Sequence, residues 1–251
     1  MRSILAIDIG NTNITAGAFK DGKLVKKAKI PSGAHSMHES AFRALCKKFT
    51  RKCGSAGCDI VISSVVPLAL ARVVFSLKKL GACRITVLGK DAAVPIKNLY
   101  KKKLEVGQDR LVNAFAAKSL YGSPSVIVDF GTAITFDIVS RKGEYLGGLI
   151  LPGIEMSFSS LYQKTALLPR VELKRAPSII GTDTVNSMRG GILFGFGAMC
   201  DGLVAQYRKI LGKDTKVIAT GGNAGLIQRY AKSIQIVDPD LTLKGLALIQ
   251  V

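Results

Sequence analysis

The segment Asp8-Ile9-Gly10-Asn11-Thr12-Asn13-Ile14-Thr15 gathers a carboxylate, a glycine and a run of short hydroxyl and amide side chains. Gly10 permits a tight turn and close approach of the backbone. The N–H groups of such a turn can take phosphate oxygens while the Asp8 carboxylate faces a hydrated Mg2+. On its own, Asp-x-Gly-x-Thr is equally an ordinary polar hairpin turn. Its weight comes from recurrence, as Asp129-Phe130-Gly131-Thr132-Ala133-Ile134-Thr135. Two acid–Gly–Thr turns can clamp a nucleotide phosphate chain from two sides. A third segment, Val217-Ile218-Ala219-Thr220-Gly221-Gly222-Asn223-Ala224-Gly225, reads as a strand, a Gly-Gly turn and a helix start. Two small residues let a flat ring lie on the backbone, and the helix start offers free N–H groups. Taken alone, it is a simple strand–helix turn. Asp109 and Arg110 form a fourth candidate. A carboxylate near a primary alcohol can take its proton during phosphoryl transfer, and the arginine can steer an anion. In isolation the pair reads as a helix cap with a surface ion pair. Neither Gly-x-x-x-x-Gly-Lys-Ser/Thr nor Gly-x-Gly-x-x-Gly occurs, which argues against a P-loop or a dinucleotide fold.

Apolar patterning indicates the elements that must carry these residues. Buried or half-buried strands are expected at 3–7, 14–19, 24–30, 59–66 and 84–88, with a hairpin at Asp21-Gly22. Helices are expected at 36–52, 67–80 and 109–121, and Gly122-Ser123-Pro124-Ser125 reads as a linker. Asp8 to Asp129, Gly10 to Gly131 and Gly22 to Gly143 are each separated by 121 residues. One offset at three landmarks implies two similar α/β halves, 1–122 and 123–251, facing each other across a cleft.

Composition narrows the function classes. The 251 residues are 48% apolar, enough for a packed core and against disorder. No Trp and 6% aromatics argue against a stacking surface for single strands. Lys and Arg number 36 against 17 Asp and Glu, a net charge of +19. That excess suits phosphorylated ligands, nucleic acid or an anionic membrane face, or it is simply solvated surface. No membrane span is expected, because the apolar stretch 60–71 is broken by Ser and Pro and ended by Arg72. Five cysteines without Cys-x-x-Cys fit a reduced, cytoplasmic setting. The spacing of Cys46, Cys53 and Cys58 with His35 or His38 matches no familiar zinc pattern. Both histidines read as surface residues and Cys200 as core.

The segments DIGNT (8–12), EVGQDR (105–110), DFGTAITFD (129–137), GGLILPGIE (147–155), KTALLP (164–169), GTDT (181–184) and ATGGN (219–223) run in order along nearly the whole chain. Together they resemble the type III pantothenate kinase family, within the superfamily of actin, sugar kinases and heat-shock-chaperone ATPases. The resemblance implies a duplicated actin-like ATPase fold, two ribonuclease-H-like α/β domains flanking an ATP cleft. It implies phosphorylation of pantothenate by ATP with Mg2+, a monovalent cation such as K+ or NH4+, and a homodimer. Carried over by motif, Asp8, Gly10, Asn11, Thr12, Asn13, Thr15 and Thr132 bind ATP, as do Gly221, Gly222 and Asn223 of the late turn. Tyr100, Gly107, Gln108, Asp109, Arg110 and Thr184 bind pantothenate, Asp109 being the general base. Asp129 binds the monovalent cation. Two departures stand out: Gln108 where the family has a small residue, and Lys101-Lys102-Lys103-Leu104 where it has Asn-Pro. Loss of the proline is expected to loosen that loop. Alternatives are a kinase of another small alcohol, or a transcriptional accessory protein on the same fold. No helix-turn-helix or zinc-finger pattern supports a nucleic-acid partner.

Overall fold

The computed structural model describes residues 3–32, 46–47, 59–79 and 84–249. Most of the helix expected over 36–52 lies outside these residues, as do His35, His38, Cys53, Cys58 and Cys83. The chain divides into two compact units: Met1–Ala116 with Leu241–Val251, and Ala117–Asp240.

In the first unit, β1 (Ser3–Ile9), β2 (Asn13–Lys20) and β3 (Lys23–Pro31) form an antiparallel meander. Asp21 and Gly22, both at positive φ (49° and 77°), close the β2–β3 hairpin, the geometry that an Asp-Gly pair favours. Next come β4 (Asp59–Ser64), α1 (Pro67–Lys79) and β5 (Ile85–Val87). β4 pairs parallel with β1 and β5 with β4, giving the order β3-β2-β1-β4-β5. Leu5, Ile7, Ile9, Ile60 and Ile62 point to one face and pack with Ala69, Val73 and Leu77 of α1. Each such fully buried aliphatic side chain contributes about 1.5–3 kcal/mol, so the strand ends that carry Asp8 are held firmly.

The opposite face of that sheet carries Ala6 and Asp8, by strand alternation. It is covered by α6 (Leu241–Leu248), against which α2 (Gln108–Tyr121), which begins in this unit, packs through Val112 and Ala116. A Cβ on Gly17 would lie 3.1 Å from Leu243, and one on Gly245 only 2.7 Å from Val112. Both glycines are therefore sites of close packing. The sequence places 241–251 with the second half, whereas α6 belongs to the first unit.

The second unit repeats the plan. β6 (Ser125–Phe130), β7 (Ala133–Val139) and β8 (Tyr145–Pro152) form a meander. After α3 (Ile154–Lys164) and α4 (Thr184–Leu211), β9 (Lys216–Thr220) pairs parallel with β6. A one-turn helix, α5 (Ala224–Ile227), precedes β10 (Ile236–Val237), which adds beside β9. The order β10-β9-β6-β7-β8 mirrors the first sheet. Val126, Val128, Phe130, Ile134 and Phe136 form its core with Ile154 and Phe158 of α3 and Leu193, Cys200 and Val204 of α4.

Helix α4 went unnoticed in the sequence. By length and composition it could cross a membrane, which the sequence reading did not foresee. Its buried residues belong to the core of the second unit, as expected of a central helix in a globular domain.

Candidate active site

The first phosphate-type turn falls where β1 ends. Asp8 pairs with Thr15 across the β1–β2 ladder and with Ser63 across the β1–β4 ladder. Residues on one rung share a face of the sheet, so Thr15, Asp8 and Ser63 form a polar row on the α6 side. Gly10 N–H donates to the Asn13 carbonyl at 3.0 Å, and the Ser32 hydroxyl donates to the Gly10 carbonyl at 2.6 Å. The turn is thus pinned from inside and from the neighbouring strand, with Asn11 and Thr12 at its tip.

Asp109 lies in the same unit. α2 begins at Gln108, so Asp109 occupies the first turn of the helix rather than its cap. Gly107 fills the capping position, its carbonyl accepting from Arg110 N–H at 3.1 Å and Leu111 N–H at 3.3 Å. The Asp109 carboxylate accepts Arg110 N–H at 2.8 Å. Burial pushes its carboxyl above the usual carboxylate range, and the Arg110 N–H and guanidinium offset part of that rise. A carboxylate made more basic by burial is suited to accept a proton near neutral pH. Arg110 is only 7% exposed, so its charge acts from within the fold.

Gly107 explains the spacing of the motif. A Cβ there would sit 2.5 Å from Asp109 Oδ1 and 3.5 Å from Val65. Gly107→Ala is therefore expected to displace the carboxylate with little effect on the core. Displacements of about 1 Å can cost about 10²-fold in rate. Turnover should fall by about 10- to 100-fold while melting temperature holds; unchanged turnover would show that the carboxylate position is not critical.

The two departures have structural partners. The Gln108 side chain lies against Gly89 (φ 80°), where a Cβ would be 2.8 Å from its amide carbon. Without its proline, the loop bearing Tyr100 is tied by Asn98, which accepts Tyr100 N–H at 2.8 Å and donates to the Lys103 carbonyl at 3.4 Å. The short 3-10 turn Lys103–Glu105 and the Lys102–Glu105 ion pair at 2.8 Å follow. The expected loosening is thus countered by side-chain bonds.

The second unit holds the other predicted residues. The turn after β6 is one residue shorter than its counterpart: Asp129 pairs with Thr135, whereas Asp8 pairs with Thr15. Asp129 and Thr220 are rung partners at the carboxyl ends of parallel strands. Asn223 N–H donates to the Phe130 carbonyl at 3.2 Å, docking the Gly-Gly-Asn turn on the acid–Gly–Thr turn. Gly153 abuts Thr132, where a Cβ would overlap the carbonyl oxygen and lie 2.7 Å from its carbon. Thr184 is the exposed first residue of α4, next to Asp183, which caps the helix by accepting Asn186 N–H at 2.9 Å.

Asp137 was missed. It is fully buried on β7, accepting from Tyr145 Oη at 2.9 Å and from the Thr135 hydroxyl at 2.9 Å. It thereby orients Thr135, the rung partner of Asp129. Its place at the end of DFGTAITFD was the available signal. Cys46 and Cys200 are buried cysteines, their thiols pushed by burial up to about 12 and about 11. They are poorly disposed to form thiolates.

A sheet plan used twice, with an acid–Gly–Thr turn closing β1 in one unit and β6 in the other, is the duplicated α/β plan of the actin-like fold. Solved structures of low identity share the fold. Ethanolamine utilization protein EutJ from Carboxydothermus hydrogenoformans aligns with a TM-score of 0.57 and 12% identity, covering 100% of this chain and 90% of that one. ROK hexokinase from Thermus thermophilus aligns with a TM-score of 0.54 and 14% identity, covering 98% and 97%. Sequence similarity is more specific. The family described as type III pantothenate kinase matches residues 4–206. A type III pantothenate kinase of Bacillus cytotoxicus is 39% identical over 249 residues, 98% of this chain and 95% of that relative. The chain belongs to the type III pantothenate kinase family.

Proposed function

We infer that the protein carries out the reaction of its family, the ATP-dependent phosphorylation of pantothenate to 4′-phosphopantothenate at the start of coenzyme A biosynthesis. The terminal hydroxyl oxygen of pantothenate attacks the γ-phosphorus of ATP. A new O–P bond forms, the bond to the bridging oxygen of ADP breaks, and the hydroxyl proton passes to the Asp109 carboxylate. The observation that carries this reading is Asp109 itself: a carboxylate made more basic by burial, seated against a glycine and fixed by a backbone N–H. Tyr100, Gly107, Gln108, Arg110 and Thr184 are assigned to pantothenate. The 8–15 turn, Thr132 and Gly221–Asn223 are assigned to ATP. The test is ADP release with and without pantothenate, with mass detection of the product. ADP release that ignores pantothenate would overturn the reading.

Mg2+ bound with ATP neutralises charge on the β- and γ-phosphates. The half-buried Asp8, flanked on its rung by Thr15 and Ser63, fits a hydrated divalent ion. Asp129 fits a different ion. Its carboxylate lies close to Gly131, and the carbonyls of Gly131 and Thr132 crowd the Gly153 position. One carboxylate with backbone carbonyls suits a weakly hydrated monovalent cation. Turnover should be several-fold higher in K+ or NH4+ than in Na+, with that difference flattened in Asp129→Ala. Full activity of the unaltered protein in Na+ alone would refute the assignment.

A homodimer is supported by the edge strand β8, which exposes Leu149 and Ile150, and by Met156 on the following helix. The basic excess is read as solvated surface in a cytoplasmic protein rather than as a nucleic-acid site. The edge strand β3, for example, exposes Lys23, Lys27 and Lys29, a common guard against edge-to-edge pairing.

A further inference from the structure

Ser63 is fully buried at the end of β4, and its hydroxyl has no hydrogen-bond partner among the described residues. The neighbouring Ser64 shows the contrast. Its hydroxyl is used within the turn into α1, accepting Val66 N–H at 3.1 Å. Buried polar atoms without partners are few in folded proteins, and each one calls for an explanation. The position supplies one. Ser63 is the rung partner of Asp8 at the carboxyl ends of two parallel strands. Parallel neighbours stand about 4.8 Å apart with side chains on one face, a gap that a serine and an aspartate can close. The start of α2 also comes close to the end of β4, since a Cβ on Gly107 would lie 3.5 Å from Val65. Burial keeps the hydroxyl from touching a ligand directly, so it must act through a neighbour.

We propose that Ser63 is a positioning residue for ATP binding: its hydroxyl donates to the Asp8 carboxylate when that group turns toward the hydrated Mg2+ of the nucleotide. The assignment rests on the reading of the 8–15 turn as the phosphate site. A donor on one carboxylate oxygen fixes the direction in which the other oxygen faces the ion, as outer hydrogen bonds commonly do for metal-facing carboxylates. In the ligand-free protein the hydroxyl makes no hydrogen bond among the described residues, which separates this role from that of a structural hydrogen bond.

The test combines Ser63→Ala, Asp8→Asn and the double variant in the full chain. The readouts are the Mg2+ concentration for half-maximal rate, KM for ATP and for pantothenate, and melting temperature with and without Mg-ATP. Ser63→Ala should raise the Mg2+ requirement and KM for ATP by about 10- to 150-fold, the worth of one hydrogen bond to a charged group. KM for pantothenate should stay within about twofold, because the link to Asp8 acts on the ion bound with ATP and not on the residues assigned to pantothenate. The ligand-free melting temperature should hold or rise, since removing an unpaired buried hydroxyl relieves a cost, while the stabilisation by Mg-ATP shrinks. In the Asp8→Asn background, Ser63→Ala should add less than about twofold, because both changes break the same link. An unchanged Mg2+ response in Ser63→Ala beside a shifted one in Asp8→Asn would overturn this inference alone. So would a full Ser63→Ala effect in the Asp8→Asn background, or a fall in ligand-free melting temperature. An unchanged response in Asp8→Asn would overturn the phosphate-site reading and this inference with it.

Discussion

If Asp109 is the general base proposed above, Asp109→Asn should lower turnover by about 10²–10⁴, the usual cost of removing such a group, and leave the fold intact. The amide keeps the shape of the carboxylate, and its oxygen can still accept Arg110 N–H. What it loses is basicity. ATP affinity should change little, because the residues assigned to ATP lie in other segments. Stability gives an independent sign. Burial raises the folded-state pKa of Asp109 above its unfolded value, so the folded chain holds that proton more tightly. Stability from this group is complete below the ordinary carboxylate value and is lost as pH rises through the raised one. Asn carries no such loss, so at neutral pH the variant should melt at or above the temperature of the parent, with no advantage in acid. The same shift sets the pH profile of the parent: activity should rise with pH through a value above the ordinary carboxylate range. The rival role, a first-turn acid complementing the helix dipole, is worth only about 0.3–1 kcal/mol and predicts near-normal turnover with slightly lower stability. Turnover, ATP titration and melting measured on one preparation separate the two. Near-normal turnover in a folded variant would remove Asp109 from the chemistry.

Much of this site was legible because its residues repeat or cluster along the chain. Two acid–Gly–Thr turns at one offset pointed to a duplicated plan, and the sheets have matching strand orders. The β2–β3 hairpin was legible from Asp21-Gly22, because few pairs tolerate two positive φ angles in succession. Helix α4 was not legible. Gly190, Gly191, Gly195, Gly197 and Gly202 fall within it, and each glycine costs about 1 kcal/mol against alanine in a helix. Tertiary packing outweighs that cost: at Gly197 a Cβ would overlap the Tyr230 carbonyl, so close contact demands a glycine there. The placement of α6 was hidden for another reason. Its apolar run shows that it is buried but not against which unit. Ser63 and Asp137 were hidden because their roles depend on register. A lone serine in an apolar strand gains meaning only when the ladder sets it beside Asp8. Asp137 does so only when its bonds to Thr135 and Tyr145 are seen.

The paired glycines of the late turn should respond in opposite ways, although the sequence treats them alike. Gly221 has φ 89°, and a Cβ there would overlap Asp129 Oδ1 and lie 2.6 Å from the backbone carbon of Phe130. Phe130 ends the central strand of its sheet and cannot easily yield. Gly221→Ala therefore combines left-handed backbone strain of about 1–2 kcal/mol with overpacking of about 1–3 kcal/mol. For a chain of this size, with about 2–4 °C per kcal/mol, melting temperature should drop by roughly 5–20 °C. Activity should collapse as well, since the displaced groups include Asp129. Gly222 has open space around its Cβ direction and needs no unusual φ. Gly222→Ala should melt within about 2 °C of the parent, as benign surface changes do. If the flat ring of the nucleotide rests on this backbone, the added methyl intrudes on the ligand alone. KM for ATP then rises by about 10-fold or more while KM for pantothenate is unmoved. A stable Gly221→Ala would contradict the packing of the two turns, and an unaltered KM for ATP in Gly222→Ala would move the ring elsewhere.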